Sequence, residues 1–108
     1  MLSKKNIQEL YTTGSKISTL SFNVIWNINT NENPDSNIVI SVPKKNIKKA
    51  VDRNYIKRII REIYMQNRSL VLKPINCILI YTKSSLPEFN KLKEELVTLL
   101  QNLIVKWI

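Results

Sequence analysis

The 108-residue sequence contains no histidine, a single cysteine and a single glycine. The absence of histidine excludes Ser-His-Asp and Cys-His catalytic arrangements, together with every metal site that uses a histidine ligand. Because Cys77 is the only thiol, the chain forms neither an internal disulfide nor a four-cysteine zinc site. An unpaired thiol is typical of a reducing compartment, so we expect the protein in the cytoplasm.

Long apolar runs and acidic side chains are also scarce. No stretch reaches the roughly eighteen apolar residues of a transmembrane helix, and residues 1–11 contain no apolar run long enough for a signal peptide. There are 8 acidic residues against 17 Lys and Arg, so the formal net charge is +9. With 44% hydrophobic residues, the sequence still has the composition of a globular protein. We therefore expect one domain over residues 1–108 and a polyanionic partner, nucleic acid above all.

Most of the positive charge lies between residues 44 and 61. This segment contains eight basic side chains and one acidic side chain, a formal charge of +7. The basic side chains are Lys44, Lys45, Lys48, Lys49, Arg53, Lys57, Arg58 and Arg61. Every fourth residue from Lys49 to Arg61 is basic, which aligns these side chains along one side of a helix. We call them the basic ridge: Lys49, Arg53, Lys57 and Arg61.

The basic ridge indicates a phosphate-bearing partner, because like charges four residues apart destabilise a helix by about a few tenths of a kcal/mol per pair. A solvated helix face and a membrane-surface helix are both less favoured. A solvated helix face normally mixes both signs of charge, whereas this segment has a single acid, Asp52. A helix lying on a membrane surface needs its apolar face free, whereas here that face is needed to cover a sheet.

The spacing of apolar residues predicts the element order α-β-β-α-β-α. A short first helix ends near Gly14. Two strands with alternating apolar residues follow at 20–29 and 38–42. Their short connection, made of turn-forming residues at 29–36, suggests an antiparallel hairpin. The residues of the first strand that are expected to face the core are Phe22, Val24 and Trp26.

The second half of the chain contains the strongest helix signal. A helix over 46–67 carries the basic segment, with Asn46 as its N-cap. A strand over 75–81 is apolar at nearly every position and is expected in the middle of the sheet. A last helix follows a capping box at 85–88. The apolar stripes predicted for the two helices are Ile47, Ala50, Val51, Ile59, Ile60, Ile63 and Tyr64, and Phe89, Leu92, Leu96, Leu99, Leu100 and Leu103.

The basic segment resembles the signature of the bacterial ribonuclease P protein component. In outline, that signature is two lysines followed by A-V-x-R-N-R-x-K-R-x-x-R-E, and the stretch from Ala50 to Glu62 reads AVDRNYIKRIIRE. The resemblance extends over the whole chain in length, basicity and element order. It implies an α+β fold, a single-domain α/β sandwich with a small, mainly antiparallel sheet. The family's left-handed βαβ crossover would carry the basic helix.

Proteins of this family are the small subunit of a ribonucleoprotein that removes the 5′ leader from precursor tRNA. The resemblance implies that the RNA subunit and its bound Mg²⁺ carry the catalysis, so we expect no catalytic residue, metal ligand or cofactor in the protein itself. The implied partners are the catalytic RNA and precursor tRNA, without a membrane or a further protein. A structural, ribosomal-type RNA-binding protein is the alternative. A DNA-binding regulator is disfavoured, because no second helix is predicted just before residue 46.

The resemblance also implies two RNA-binding surfaces. Tyr55 stands where the family has a second arginine, which exchanges a phosphate contact for a ring that can stack on a base. The residues expected to bind the catalytic RNA are Lys44, Lys45, Lys48, Lys49, Arg53, Asn54, Tyr55, Lys57, Arg58 and Arg61. The leader is expected between the first helix and the open face of the sheet. The residues assigned to it are Ile7, which replaces a usual aromatic, Tyr11, Asn23 and Ile25.

Overall fold

Four strands and three helices make up the part of the chain that the computed structural model describes, residues 4–29, 36–71 and 74–105. In chain order they are α1 (Lys4–Thr13), β1 (Ser15–Ser18), β2 (Phe22–Ile28), β3 (Asn37–Ser41), α2 (Ala50–Asn67), β4 (Ile75–Tyr81) and α3 (Phe89–Val105), with a 3₁₀ turn at Arg68–Leu70. The predicted connection at 29–36 lies largely outside the described residues. None of the described helices is long and apolar enough to cross a membrane.

The strand order of the sheet is β1-β2-β4-β3. Strand β2 pairs antiparallel with both β1 and β4, whereas β3 pairs with β4 in parallel. The predicted hairpin between β2 and β3 is therefore wrong, because β4 lies between them. Strand β4 is buried on both faces, with Cys77 on one and Ile78 on the other, and such a strand belongs in the centre of a sheet. Its predicted central position is confirmed.

The parallel strands β3 and β4 are joined by α2, which gives the βαβ crossover that the resemblance implies. The left-handed sense of this crossover stays a prediction. With its two antiparallel strand pairs, the molecule is a single small α+β domain with a mainly antiparallel sheet, so the expected fold class is confirmed. The sequence does not predict β1, because Ile17 is the only apolar residue among its four.

Apolar side chains hold the helices on both faces of the sheet. Helices α2 and α3 pack on one face, where the predicted core residues of β2 are all buried; we call this cluster the main core. Among the described side chains of these helices, the buried ones are Ile56, Ile59, Ile60, Ile63, Leu92, Leu96, Leu99, Leu100 and Leu103. On the other face, Leu10 of α1 packs with Ile25 and Ile78. Since each buried leucine or isoleucine contributes about 1.5–3 kcal/mol, the main core fixes which side of α2 is exposed.

Helix α2 begins at Ala50 rather than at residue 46. Residues 43–47 form a turn instead, in which the Pro43 carbonyl accepts hydrogen bonds from the backbone N–H groups of Asn46 (3.0 Å) and the next residue (3.1 Å). The Asn46 side chain donates to the Tyr81 carbonyl at 3.3 Å. The predicted role of Asn46 as the N-cap is therefore wrong.

The apolar stripe of α2 also differs from the predicted one at its start. Ile47 is buried from within the preceding turn, and Ile56, which lies outside the predicted stripe, is fully buried. Ala50 and Val51 are exposed, Val51 by 70%. The three later isoleucines of the predicted stripe are buried as expected. The first turn of α2 therefore presents apolar side chains to the surface next to the basic ridge.

Helix α3 begins at Phe89 and is capped by Glu88. The Glu88 carboxylate accepts hydrogen bonds from the backbone N–H groups of Asn90 (3.1 Å) and Lys91 (3.0 Å), which satisfies two groups that the helix itself leaves unpaired. The Ser85 side chain is not the cap; its backbone carbonyl accepts a hydrogen bond from the Tyr81 hydroxyl at 2.8 Å. The predicted capping box is therefore wrong. The leucine stripe is confirmed, whereas Phe89 is 37% exposed.

The buried thiol of Cys77 gives the fold an expected sensitivity to alkaline pH. Burial raises the pKa of Cys77 from 9.0 to about 12. Between these values the folded protein keeps a proton that the unfolded chain has lost, so the free energy of unfolding falls as pH rises. The thiol alone should cost about 2 kcal/mol between pH 8 and 10.5. Urea titrations of the wild type and Cys77→Ala measure this loss, which the variant should lack; equal losses would contradict it.

Candidate nucleic-acid interface

The basic segment forms one exposed surface along α2 and the turn before it. None of its eight Lys and Arg side chains is buried, and within the described residues none of them forms an ion pair with a carboxylate. Arg53, Lys57 and Arg61 lie on successive turns of the helix, as their spacing predicts. All ten residues predicted to bind the catalytic RNA are thus brought together, and their positive charge is not neutralised.

Arg53 holds the lysine-rich turn against the helix. Its Nη1 donates hydrogen bonds to the carbonyls of Ile47 at 3.0 Å and Lys48 at 2.8 Å. A guanidinium has five N–H donors in a fixed fork, so a group that binds two carbonyls keeps donors for a further acceptor. Arg53 therefore fixes the position of Lys48 relative to the basic ridge. The sequence predicts only a phosphate contact here, because spacing does not reveal which carbonyls lie within reach.

Tyr55 and Arg58 lie side by side on the exposed face of α2. The guanidinium carbon of Arg58 is 5.4 Å from the centroid of the Tyr55 ring, within the range of a cation–π contact. The ring is 38% exposed, and the neighbouring Asn54 is exposed as well. The surface of α2 therefore offers a flat aromatic group in addition to charge.

The second predicted surface lies where α1 crosses the sheet. Tyr11 is 49% exposed and Asn23 is exposed, while Ile7 is half-buried. Ile25 is only 6% exposed, because it packs in one cluster with Leu10. The prediction that Ile25 lies on an open face is therefore wrong: this residue holds α1 on the sheet. The accessible groups are the aromatic ring on α1 and the polar margin of the sheet.

Three asparagines from three strands form a row that sequence reasoning did not bring together. The Nδ2 of Asn37 donates to the Oδ1 of Asn76 at 3.0 Å, and the Nδ2 of Asn76 donates to the Oδ1 of Asn27 at 3.1 Å. The alternation of the strands places the row on the same face as Ile25. All three asparagines are half-exposed. The sequence shows only that β2, β3 and β4 each have an asparagine at or next to one end. That these asparagines are neighbours becomes clear only when the pairing of the strands is known.

The side chains exposed on these two surfaces are suited to contacts with nucleic acid. Among the described residues, no three Cys, Asp or Glu side chains lie close enough together to hold a metal ion, and the Cys77 thiol is buried in the main core. Exposed cations bind phosphate groups, and aromatic rings and amides contact nucleobases. Both surfaces therefore fit single-stranded or folded nucleic acid.

Comparison with known proteins identifies the family. The Ribonuclease P family model matches residues 1–104 of the chain. The chain belongs to the ribonuclease P family. The Ribonuclease P protein component of Nitrosococcus oceani is 30% identical over 66 residues, which are 61% of this chain and 54% of that relative. The matched part thus spans about half the length of this curated relative.

Two solved structures share the fold over nearly the whole chain. The RNase P protein of Staphylococcus aureus has a TM-score of 0.80 and 26% identity, and the alignment covers 94% of this chain and 91% of that one. The RNase P protein from Thermotoga maritima has a TM-score of 0.82 and covers 94% of both chains at 24% identity, a likeness of fold. The resemblance that the signature in α2 indicates is thereby confirmed, and it places the chain with the protein components of a ribonuclease.

Proposed function

We propose that this chain is the protein subunit of ribonuclease P and binds the catalytic RNA through α2 and the turn before it. The observation that carries this assignment is the un-neutralised +7 segment, which spans the exposed face of α2 and the turn before it, in a chain of this family. Phosphate groups of the RNA supply the counter-charge that the protein lacks. The phosphodiester bond is cleaved by the RNA with its own Mg²⁺, and the protein promotes binding and folding of the active complex. It acts in the cytoplasm, where a lone thiol stays reduced.

The second surface contacts the 5′ leader of precursor tRNA. The exposed ring of Tyr11 stacks on a leader base, as aromatic side chains do with unpaired bases. Asn23 and the row of three asparagines supply hydrogen-bonding groups along the same face of the sheet. Ile25 and the half-buried Ile7 act indirectly, because their packing fixes α1 over the sheet.

Reconstitution with the cognate RNA subunit tests the proposed function. Leader removal from precursor tRNA is measured at a low Mg²⁺ concentration at which the RNA alone is inactive. We expect the protein to restore cleavage, with no cleavage by the protein alone. RNA binding without restored cleavage would contradict the proposal and favour the alternative, a structural RNA-binding protein.

Tyr11→Ala should weaken binding of the 5′ leader without affecting binding of the catalytic RNA to α2. Because base–aromatic stacking contributes about 1–3 kcal/mol, the reconstituted variant should bind precursor tRNA about 5- to 150-fold more weakly. Mature tRNA lacks the leader, so its affinity should not change. Titration of the holoenzyme with both RNAs measures the difference, and Tyr11→Phe, which keeps the ring, is the control. An equal loss for both RNAs would remove Tyr11 from the leader surface.

A further inference from the structure

The exposed half of α2 has two different flanks. At about 100° per residue, Arg53, Lys57 and Arg61 of the basic ridge run along one flank. Val51 and Tyr55 lie one turn apart on the other flank, and Arg58 lies between the two. A nucleotide has the same division, with a charged phosphate on one side and a flat aromatic base on the other. The two flanks therefore match the two sides of an RNA strand.

The packing of the fold does not explain why Val51 and Tyr55 are apolar or aromatic; we call the flank they form the aromatic flank. Val51 is 70% exposed and Tyr55 is 38% exposed, so neither contributes fully to the main core. A helix face that only attracted phosphates would gain nothing from exposed apolar groups. The Arg58 guanidinium lies over the Tyr55 ring, 5.4 Å from its centroid. This contact orients two planar groups of the kind on which nucleobases stack, and it keeps a cation beside them for the phosphate.

We propose that Tyr55 and Arg58 form a stacking site for one unpaired base of the catalytic RNA, an inference that rests on the function proposed above. The base stacks on the Tyr55–Arg58 pair while the basic ridge binds phosphates of the adjoining nucleotides. Paired bases inside a duplex present no free face, so the site requires a bulged, looped or terminal nucleotide. Because the exposed Lys and Arg side chains on the same face of α2 attract anions, the partner that binds here is expected to be negatively charged, as RNA is. In this chain, Tyr55 thus exchanges a phosphate contact of the family signature for a base contact.

The salt dependence of RNA affinity distinguishes a base contact from a phosphate contact. The slope of log K against log salt is negative, and loss of a phosphate contact decreases its magnitude by about 0.7–0.9, whereas loss of a stacking contact leaves it unchanged. Titrations of the cognate catalytic RNA should show Tyr55→Ala binding about 5- to 150-fold more weakly than the wild type, with the same slope. Tyr55→Phe should stay within about twofold, because the ring is retained.

Two further variants serve as controls. Tyr55→Leu keeps apolar bulk and favours the helix but lacks a flat ring, so it should bind as weakly as Tyr55→Ala. Met65→Ala removes another half-exposed apolar side chain about 15 Å further along α2, and its affinity should equal that of the wild type. Since all these positions are exposed or half-exposed, circular dichroism should show native helix content throughout.

The possible outcomes separate this inference from the proposed function. Wild-type affinity for Tyr55→Ala or for Tyr55→Leu would overturn the stacking site. So would a salt dependence whose slope decreases in magnitude by the amount expected for one lost phosphate contact. If the wild-type protein itself fails to bind the catalytic RNA in a salt-dependent way, the proposed function is wrong and the stacking site is overturned with it. Weaker binding by Ala and Leu, wild-type binding by Phe and an unchanged slope would support it.

Discussion

Replacing Lys49, Lys57 and Arg61 together by glutamine is expected to weaken binding to the catalytic RNA by about two to three orders of magnitude at physiological salt. Each of these groups is exposed or half-exposed and makes no ion pair within the described residues, so each is available to a phosphate. A charge-assisted contact contributes about 1–1.5 kcal/mol or more. The slope of log K against log salt, which is negative, should decrease in magnitude by about 2–3. Arg53 is left unchanged because it also holds the preceding turn.

A second triple variant controls for net charge. Lys83→Gln, Lys91→Gln and Lys93→Gln remove the same total charge from the region of α3 and should lower RNA affinity only a few-fold. Thermal unfolding of both variants should stay close to that of the wild type, and removal of repulsion along α2 adds at most about a few tenths of a kcal/mol. Equal losses of affinity for the two triple variants would mean that the RNA does not recognise the basic segment.

The sequence predicts those parts of the fold in which the residue pattern within a single helix or strand is enough to show which side chains are buried. The leucines of α3 and the later isoleucines of α2 repeat at helical spacing, and their burial follows from that spacing alone. Strand β4 is apolar on both faces, which only the centre of a sheet accommodates. Arg53, Lys57 and Arg61 of the basic ridge likewise lie on one helix, as their spacing predicts, whereas Lys49 precedes the first residue of α2.

The errors concern relations between elements. The hairpin of β2 and β3 is a reasonable interpretation of two adjacent alternating strands, but both strands pair with the central β4 rather than with each other. Ile47 has the spacing of the first position of a helical stripe, whereas the Pro43 carbonyl closes a turn around it. Alternation on β2 separates Ile25 from the core residues of that strand, and it cannot reveal that α1 covers this second face. The asparagine row depends on the same strand pairing.

Gly14→Ala is expected to destabilise the protein by about 2–3 kcal/mol, as overpacking of a well-filled site does. Gly14 follows the last residue of α1, where the sequence predicts the end of the helix. Its backbone is not in the left-handed region, so the glycine is required by a close approach. A Cβ would lie 2.5 Å from the Leu10 carbonyl oxygen and 2.9 Å from the Ile25 Cγ2. Urea unfolding measures the loss, and Ser15→Ala, at an exposed neighbour, should cost less than about 0.5 kcal/mol.

The same substitution should impair leader recognition while leaving RNA docking intact. The nearest obstacle to the new Cβ is backbone of α1 itself, so relief of the clash requires α1 to shift on the sheet. Tyr11 moves with α1, whereas α2 is held by the main core on the opposite face. The folded variant should therefore bind the catalytic RNA normally but lose most of its preference for precursor over mature tRNA. Wild-type stability and preference would mean that α1 can accommodate the methyl group, and the close packing at Gly14 would then not position Tyr11.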